Sequence, residues 1–274
     1  MISNHPKEKQ LRLFITKSII LLLMLWSTAN TTCAQSEKVE CCYGILKLSG
    51  KIDIESAESF IKKTIAFAQD ETIKGVLLIA NSDGGRVGAG ECIFREVKEL
   101  ATIKPVVVFI PCNCCSAAYW GIVGAHWIIA TATAELGHIG VYRTIEKHTN
   151  VHFNNKDGYS GDVEFDIISS GKYKTVTLAD TPHMNSEERE CIQALMREHH
   201  KNICIFIAQE RALPFDADAD LNDIEWATGK GFSGAHALKL GLIDQIGGFS
   251  DSVRELAKLM QENGTPVEKL VPVE

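Results

Sequence analysis

No long hydrophobic run, no basic cluster and no internal repeat can be found in this chain, and aromatics make up only 7% of its 274 residues. The longest apolar stretch, Ser18 to Trp26, falls well short of the roughly 20 residues a bilayer-spanning helix wants. With a formal net charge of −7 and no interleaving of basic and aromatic residues, the chain lacks the electrostatic footprint of a nucleic-acid binder. The absence of any 20–50-residue period excludes solenoids and propellers. Nine cysteines are present, but Cys112-x-Cys114-Cys115 lacks the C-x2-C spacing of a zinc site, and no paired histidines accompany it. Nothing in the pattern calls for a metal or a cofactor.

What is present begins with an N-terminal departure from globular composition. Lys7, Lys9, Arg12 and Lys17 precede the short apolar run, and the small-residue stretch Ser27 to Gln35 follows it. A basic region, a short hydrophobic core and a site such as Thr32-Cys33-Ala34 read as a secretory signal peptide over residues 1–34, or a short N-terminal anchor. Residues 35–274 then form the functional domain, exported to the periplasm or held at a membrane facing outward. A lipoprotein signal at Cys33 fits less well, because Asn30-Thr31-Thr32 lacks the usual apolar residue. Export permits disulfides, yet buried cysteine behaves as a small hydrophobe, and that is the expectation for several of these.

Downstream, strands alternate with helices. Strands are expected at Cys42–Gly50, Gly75–Ala80, Pro105–Ile110 and Trp127–Ala130, with helices over about 56–70, 87–101 and 116–125. This alternation argues for an α/β fold with a parallel core sheet. Residues 147–162, polar and rich in Asn and Gly, read as a surface excursion. Asn185 and Glu188 have capping-box spacing ahead of a helix whose inner face is Ile192, Leu195, Met196, Ile203, Phe206 and Ile207. A short helix over 235–240 and a final one over 250–260 follow, and the tail from Gln261 reads as loosely held.

Chemistry concentrates at two strand-to-helix junctions. Asn81-Ser82-Asp83-Gly84-Gly85 is either a plain turn or a place where backbone N–H groups reach a cleft unobstructed. Ser116 is either a helix N-cap or a nucleophile at the positive end of a helix. A serine needs a base to take its proton, and Lys174, closing Ser170-Gly171-Lys172-Tyr173-Lys174, is the candidate. Its amine would have to be desolvated to work near neutrality.

Ordered blocks spanning about residues 43 to 260 carry a resemblance. Gly75 to Gly85, Ser116-Ala117-Ala118-Tyr119-Trp120 and Gly137-His138-Ile139-Gly140-Val141 resemble the signal peptide peptidase A family of serine proteases. Ser169 to Lys174, Met184 to Arg189, and Ala227 to Gly248 are similar to its lysine and closing segments. The resemblance implies a ClpP/crotonase-like fold of stacked ββα units and a Ser/Lys dyad of Ser116 and Lys174. It makes Gly85 and the Ala117 N–H the oxyanion donors, with Gly84 shaping the turn, and it implies a homo-oligomer whose dyad is often shared between protomers. Two positions depart from the family: Asp83 replaces a usual proline, and His138 replaces a serine that helps orient the lysine. His138 can supply that hydrogen bond, or act as base in a Ser/His arrangement; Lys174 is preferred.

The leading expectation is an exported serine endopeptidase acting on peptides or unfolded polypeptides, including spent signal peptides, with membrane association through the N-terminal segment. A catalytically inactive scaffold of the same fold is the alternative, and acyl-CoA chemistry like that of crotonases fits poorly with export.

Overall fold

A strand buried on both faces must be apolar along its whole length rather than at alternate positions, and Val76-Leu77-Leu78 with Ala80 meets that demand at 0% exposure. These residues belong to β2 (Ile73–Gly85), the axis of the computed structural model, which describes the backbone of residues 40–154, 158–170 and 186–274. On one side β2 pairs in parallel with β1 (Glu40–Ile52), and on the other with β3 (Val106–Ile110). β5 (Trp127–Ala130) adds to β3, and β10 (Gln245–Ile246) to β5, again in parallel.

The sequence suggests that this strand ends at Ala80 and a turn follows. Instead β2 continues to Gly85, because β1 stays beside it: after a register irregularity between Ser49 and Lys51, Lys51 pairs with Gly84 and Ile52 with Gly85. Past Ile79 the other edge of β2 passes from β3 to β4 (Asn113–Cys115), through Ser82 and Cys114. β4 then pairs in parallel with β6 (Glu135–Gly137), and β6 pairs antiparallel with β9 (Gly231–Ser233). One long strand thus serves two sheet segments, and the second ends at the serine. This mixed α/β architecture with a parallel core agrees with the ClpP-like expectation.

Helices cover the sheet where their periodicity directs. α1 (Ile54–Gln69) starts at a reciprocal capping box: the Ser56 N–H donates to Asp53 Oδ1 at 2.9 Å, and the Asp53 N–H to Ser56 Oγ at 2.9 Å. It buries Ala57, Phe60, Thr64 and Phe67. At its far end the buried Lys104 ammonium donates to the carbonyls of Phe67 and Asp70, satisfying orphan acceptors of the last turn. α2 (Val87–Ile103) buries Ala89, Gly90, Ile93, Phe94, Val97 and Leu100, a stripe with the 3–4-residue spacing of one helical face. α3 (Ala117–Ile122) is buried at all six positions.

α4 (Ser186–Arg211) packs through Met196, Ile203 and Ile207, as expected, but Leu195 is 41% exposed. His200 and Cys204, each at 0% exposure, fall on the packed stripe instead, because the apolar-only reading of the face is rotated by one position. Asn185 of the suggested capping box lies outside the described residues. α5 (Gly234–Lys239) and α6 (Phe249–Glu262) complete the helices.

The polar segment takes a more definite form than the sequence suggests, and the reading of the tail is overturned. The excursion over 147–162 is a two-stranded antiparallel hairpin of β7 (Tyr142–Asn154) and β8 (Gly158–Ser169). Its β-branched and aromatic residues are diluted by Asn, Lys and Gly, which hides the two-residue period. The tail is also not loose: β11 (Lys269–Val273) adds in parallel to the start of β1. Composition carries no signal for such late pairing. Among the described residues no cysteine is disulfide-bonded; Cys41, Cys114 and Cys204 are buried in the apolar core, and Cys115 is buried beside the Glu135 carbonyl.

His126, at the entry to β5, accepts the Val106 N–H at Nδ1 over 3.2 Å, and desolvation holds its pKa below the usual histidine value. The unfolded chain therefore binds the extra proton first, so stability rises with pH through the interval below about 6.5. The thermal midpoint should fall as pH drops from 7 toward 5. His126→Gln should flatten that slope; an unchanged slope in the variant would locate the titration elsewhere.

Candidate active site

The site is built where two paired strands end together. Cys115 of β4 lies opposite Gly137 of β6, so the next residues, Ser116 and His138, leave the sheet side by side. Both carry positive φ, 56° for Ser116 and 50° for His138. Outside glycine such conformations are uncommon, and they cost on the order of 1–3 kcal/mol each. The surroundings hold them in place. The Ser116 N–H donates to Gly137 O at 2.7 Å, and the His138 N–H to Lys230 O at 2.9 Å. Trp120 N–H closes the first turn of α3 on Ser116 O at 3.0 Å.

Ser116 occupies the N-cap position of α3, but its side chain makes no capping hydrogen bond and its ψ of −125° is not that of a conventional cap. The cap alternative therefore does not explain the residue. It is half-buried, and Ala117, the first residue of the helix, carries an N–H that the helix itself cannot satisfy.

The end of β2 packs directly against this corner. Gly84 has φ +97°, and a Cβ placed there would stand 2.8 Å from Ser116 Cβ and 3.0 Å from Ala117 N. At Gly85 a Cβ would stand 1.9 Å from Ile52 O, so neither position admits a side chain without moving backbone. The turn is braced by Ser82, whose Oγ donates to Gly50 O at 2.5 Å and accepts the Gly84 N–H at 3.1 Å. Asp83, where a proline would stiffen the chain, takes the Asn113 side-chain amide instead, tying β2 to β4. The stiffening a proline would give is thus supplied by a cross-strand tie.

Ser116 and Ala117 line a narrow slot whose other walls are Val87, Trp120, Ile139 and Ile203. Val87 also lines a larger apolar groove of about 780 Å³. Its walls include Ile54, Ile61, Tyr142 and Met196, and Arg86 and Arg143 are among its few charged residues. Ile54 and Tyr142 are 60% and 50% exposed, an apolar surface of the kind that marks a binding groove.

The structure thus brings Ser116, Ala117, Gly84 and Gly85 to one corner and sets His138 beside it. The His138 ring meets Glu135 Oε1 through Nε2 at 2.8 Å. Lys174 and Lys172 lie outside the described residues. Glu135 and Gly231 escape a sequence reading centred on motifs, although the three-residue separation of Glu135 and His138 is visible there. Behind the slot, Tyr119 Oη donates to Leu242 O at 2.6 Å, and burial pushes its phenol pKa up, so the ring stays a neutral donor. Among the described residues no His, Cys, Asp or Glu cluster could hold a metal, and no helix is long and apolar enough to cross a membrane.

Comparison with known proteins places the chain in a family. Residues 98–263 match the profile of Peptidase family S49, and residues 36–125 match that of Clp protease. Ser116 falls within both. The chain is 31% identical over 253 residues to MJ0651, a candidate protease of Methanocaldococcus jannaschii, covering 88% of this chain and 76% of that protein. It is 32% identical over 203 residues to Protease 4 of Salmonella typhi, covering 70% of this chain. It is 27% identical over 215 residues to the chloroplastic serine protease SPPA of Arabidopsis thaliana, covering 78% of this chain. The chain spans only 30% of the length of each of these last two. It belongs to peptidase family S49, the signal peptide peptidase A type of serine peptidase.

Proposed function

We propose that this chain is an exported endopeptidase that cleaves peptides or unfolded polypeptides, with Ser116 as nucleophile and Lys174 as general base. The observation that carries the reading is the conformation of Ser116. A strained, half-buried serine at a strand end makes no cap bond and faces an apolar slot. Such strain persists where function requires it. Lys174 takes the hydroxyl proton as Oγ attacks the scissile carbonyl, and the Gly85 and Ala117 N–H groups receive the oxyanion. Gly84 supports that role by its lack of a side chain against Ala117 N. The protonated lysine then gives its proton to the leaving amine, and water attacks the acyl-enzyme by the same route in reverse.

The apolar groove suits an extended hydrophobic segment, as in a spent signal peptide. The N-terminal basic and apolar pattern supports export or membrane attachment, and the Clp-protease match supports a homo-oligomer in which a neighbouring protomer can complete the dyad.

Fluorophosphonate labelling followed by peptide mass mapping tests the reading. Label is expected on Ser116 in the native chain and should be lost in Lys174→Ala. An unlabelled Ser116 in the native protein would identify an inactive scaffold. Retained labelling in Lys174→Ala, lost in His138→Ala, would move the base to His138.

A further inference from the structure

The slot at Ser116 and the apolar groove share their walls. Val87 lines both. Ile139 and Gly140 line the slot, and the next three residues, Val141, Tyr142 and Arg143, line the groove. A polypeptide held with one carbonyl at Ser116 therefore lays neighbouring residues along the groove. Two charges interrupt that apolar surface. Arg86 and Arg143 both line it, and both are exposed. Elsewhere guanidiniums are taken up: Arg95 by Glu91, Arg197 by Glu190, Arg211 by Asp244 and Arg254 by Asp251. Among the described residues neither Arg86 nor Arg143 has a carboxylate within ion-pair distance, although acidic residues outnumber basic ones by 35 to 28. The Arg86 backbone is pinned, its N–H donating to Ile52 O at 2.8 Å and its carbonyl accepting the Gly90 N–H at 3.0 Å. Its side chain makes no capping bond. Against the two guanidiniums the lining sets one carboxylate, Glu58, and the imidazole of His199. The groove is thus positive in a protein whose net charge is −7.

We propose that this groove is a specificity site for an extended segment carrying an acidic side chain, Asp or Glu, close to an apolar one. The apolar side chain leaves water for the groove. Arg86 and Arg143 receive the carboxylate, which the planar guanidinium matches in shape and charge. This rests on the endopeptidase reading and deepens it: a substrate that runs on past the site presents carboxylates from its side chains. A segment with a basic residue in the same place meets two like charges and is turned away.

Binding is read on Ser116→Ala, which removes turnover and keeps the groove, by fluorescence anisotropy of labelled octapeptides acetylated and amidated at their ends. One leucine stays fixed in a Gly/Ser background while Glu, Gln or Lys is walked through the flanking positions. At the best position Glu should bind about 5-fold more tightly than Gln, the scale of exposed ion pairs, and Lys more weakly than Gln. Salt at about 0.5 M should remove most of the difference. Arg143→Glu should abolish the preference for Glu, and Arg86→Glu with Arg143→Glu should invert it in favour of Lys. Lys239→Glu makes the same charge change on α5, outside the groove lining, and should leave the order as it was. Equal binding of the three peptides, no saturable binding of any, or a preference that survives both arginine changes would overturn the assignment. So would tight binding of the Gln peptide once its C-terminus is left free, since the groove would then read a chain end. The native chain is finally given the tightest peptide. Charge-selective binding without cleavage would uphold the groove and sink the peptidase reading.

Discussion

Replacing Ser116 by alanine is expected to remove peptidase activity by a factor of about 10⁴ or more while leaving the fold intact. Loss of the nucleophile in a serine peptidase removes the whole covalent route, and what remains is positioning and oxyanion binding alone. The side chain makes no helix-capping bond, so the change costs α3 no cap. Glycine at the same position makes a sharper test. A φ of 56° with ψ of −125° is strained for serine and alanine alike, whereas glycine adopts it at little cost. Ser116→Gly should therefore be as inactive as Ser116→Ala but more stable than it, by about 1 kcal/mol in a denaturant titration. Equal stability of the two variants would mean that the corner is not strained. Residual turnover near the native rate would remove Ser116 from the chemistry.

Arg211→Ala is expected to be the most destabilising change far from the serine. The guanidinium is 8% exposed and grips Asp244 with two bonds, Nη1 to Oδ2 at 3.0 Å and Nη2 to Oδ1 at 2.7 Å. Its Nε also donates to Gly241 O at 3.1 Å, and Asp244 Oδ2 accepts the Ile128 N–H at 2.7 Å. One side chain thus joins the end of α4 to the return segment and to the first residues of β5. Removing it strands a carboxylate that is itself only 21% exposed. Breaking such a pair costs about 3–5 kcal/mol when fully buried; the residual exposure of Asp244 places the expectation near the lower end. Arg211→Lys should recover only part, because an ammonium cannot reproduce the two-pronged contact. A midpoint shift no larger than that of an exposed ion pair, such as Lys47→Ala at the Lys47–Glu274 contact, would disprove the argument.

The parts legible in the sequence share a physical character. Continuous apolar strands such as Val106–Ile110 and the periodic stripe of α2 declare themselves because burial fixes the residue types. The Ser116 corner is legible because small residues crowd a strand-to-helix junction. Gly84 and Gly85 are visible as letters, but the reasons for them differ. Gly84 is required by its own φ and by Ser116, while Gly85 is required by the Ile52 carbonyl of β1, more than 30 positions earlier. That second reason cannot be read locally. The same holds for Asp83, whose value depends on Asn113, and for Glu135, whose contact with His138 requires the glycine of another strand. The β7–β8 hairpin went unseen because its strands are polar enough to imitate a loop, and β11 because parallel pairing joins residues at opposite ends of the chain.

The pairing of Lys269 to Val273 with Glu40 to Gly44 has a consequence for protein handling. β11 shields the outer rim of β1, whose partner on the inner side is β2. Clipping the polypeptide ahead of Lys269 would bare a row of unclaimed amide and carbonyl groups along a stretch that includes the buried Cys41 and Tyr43. An uncovered rim of that kind recruits strands from other molecules, so proteolytic nicking at the C-terminal end should show itself first as clumping in storage, ahead of any measurable drop in melting temperature.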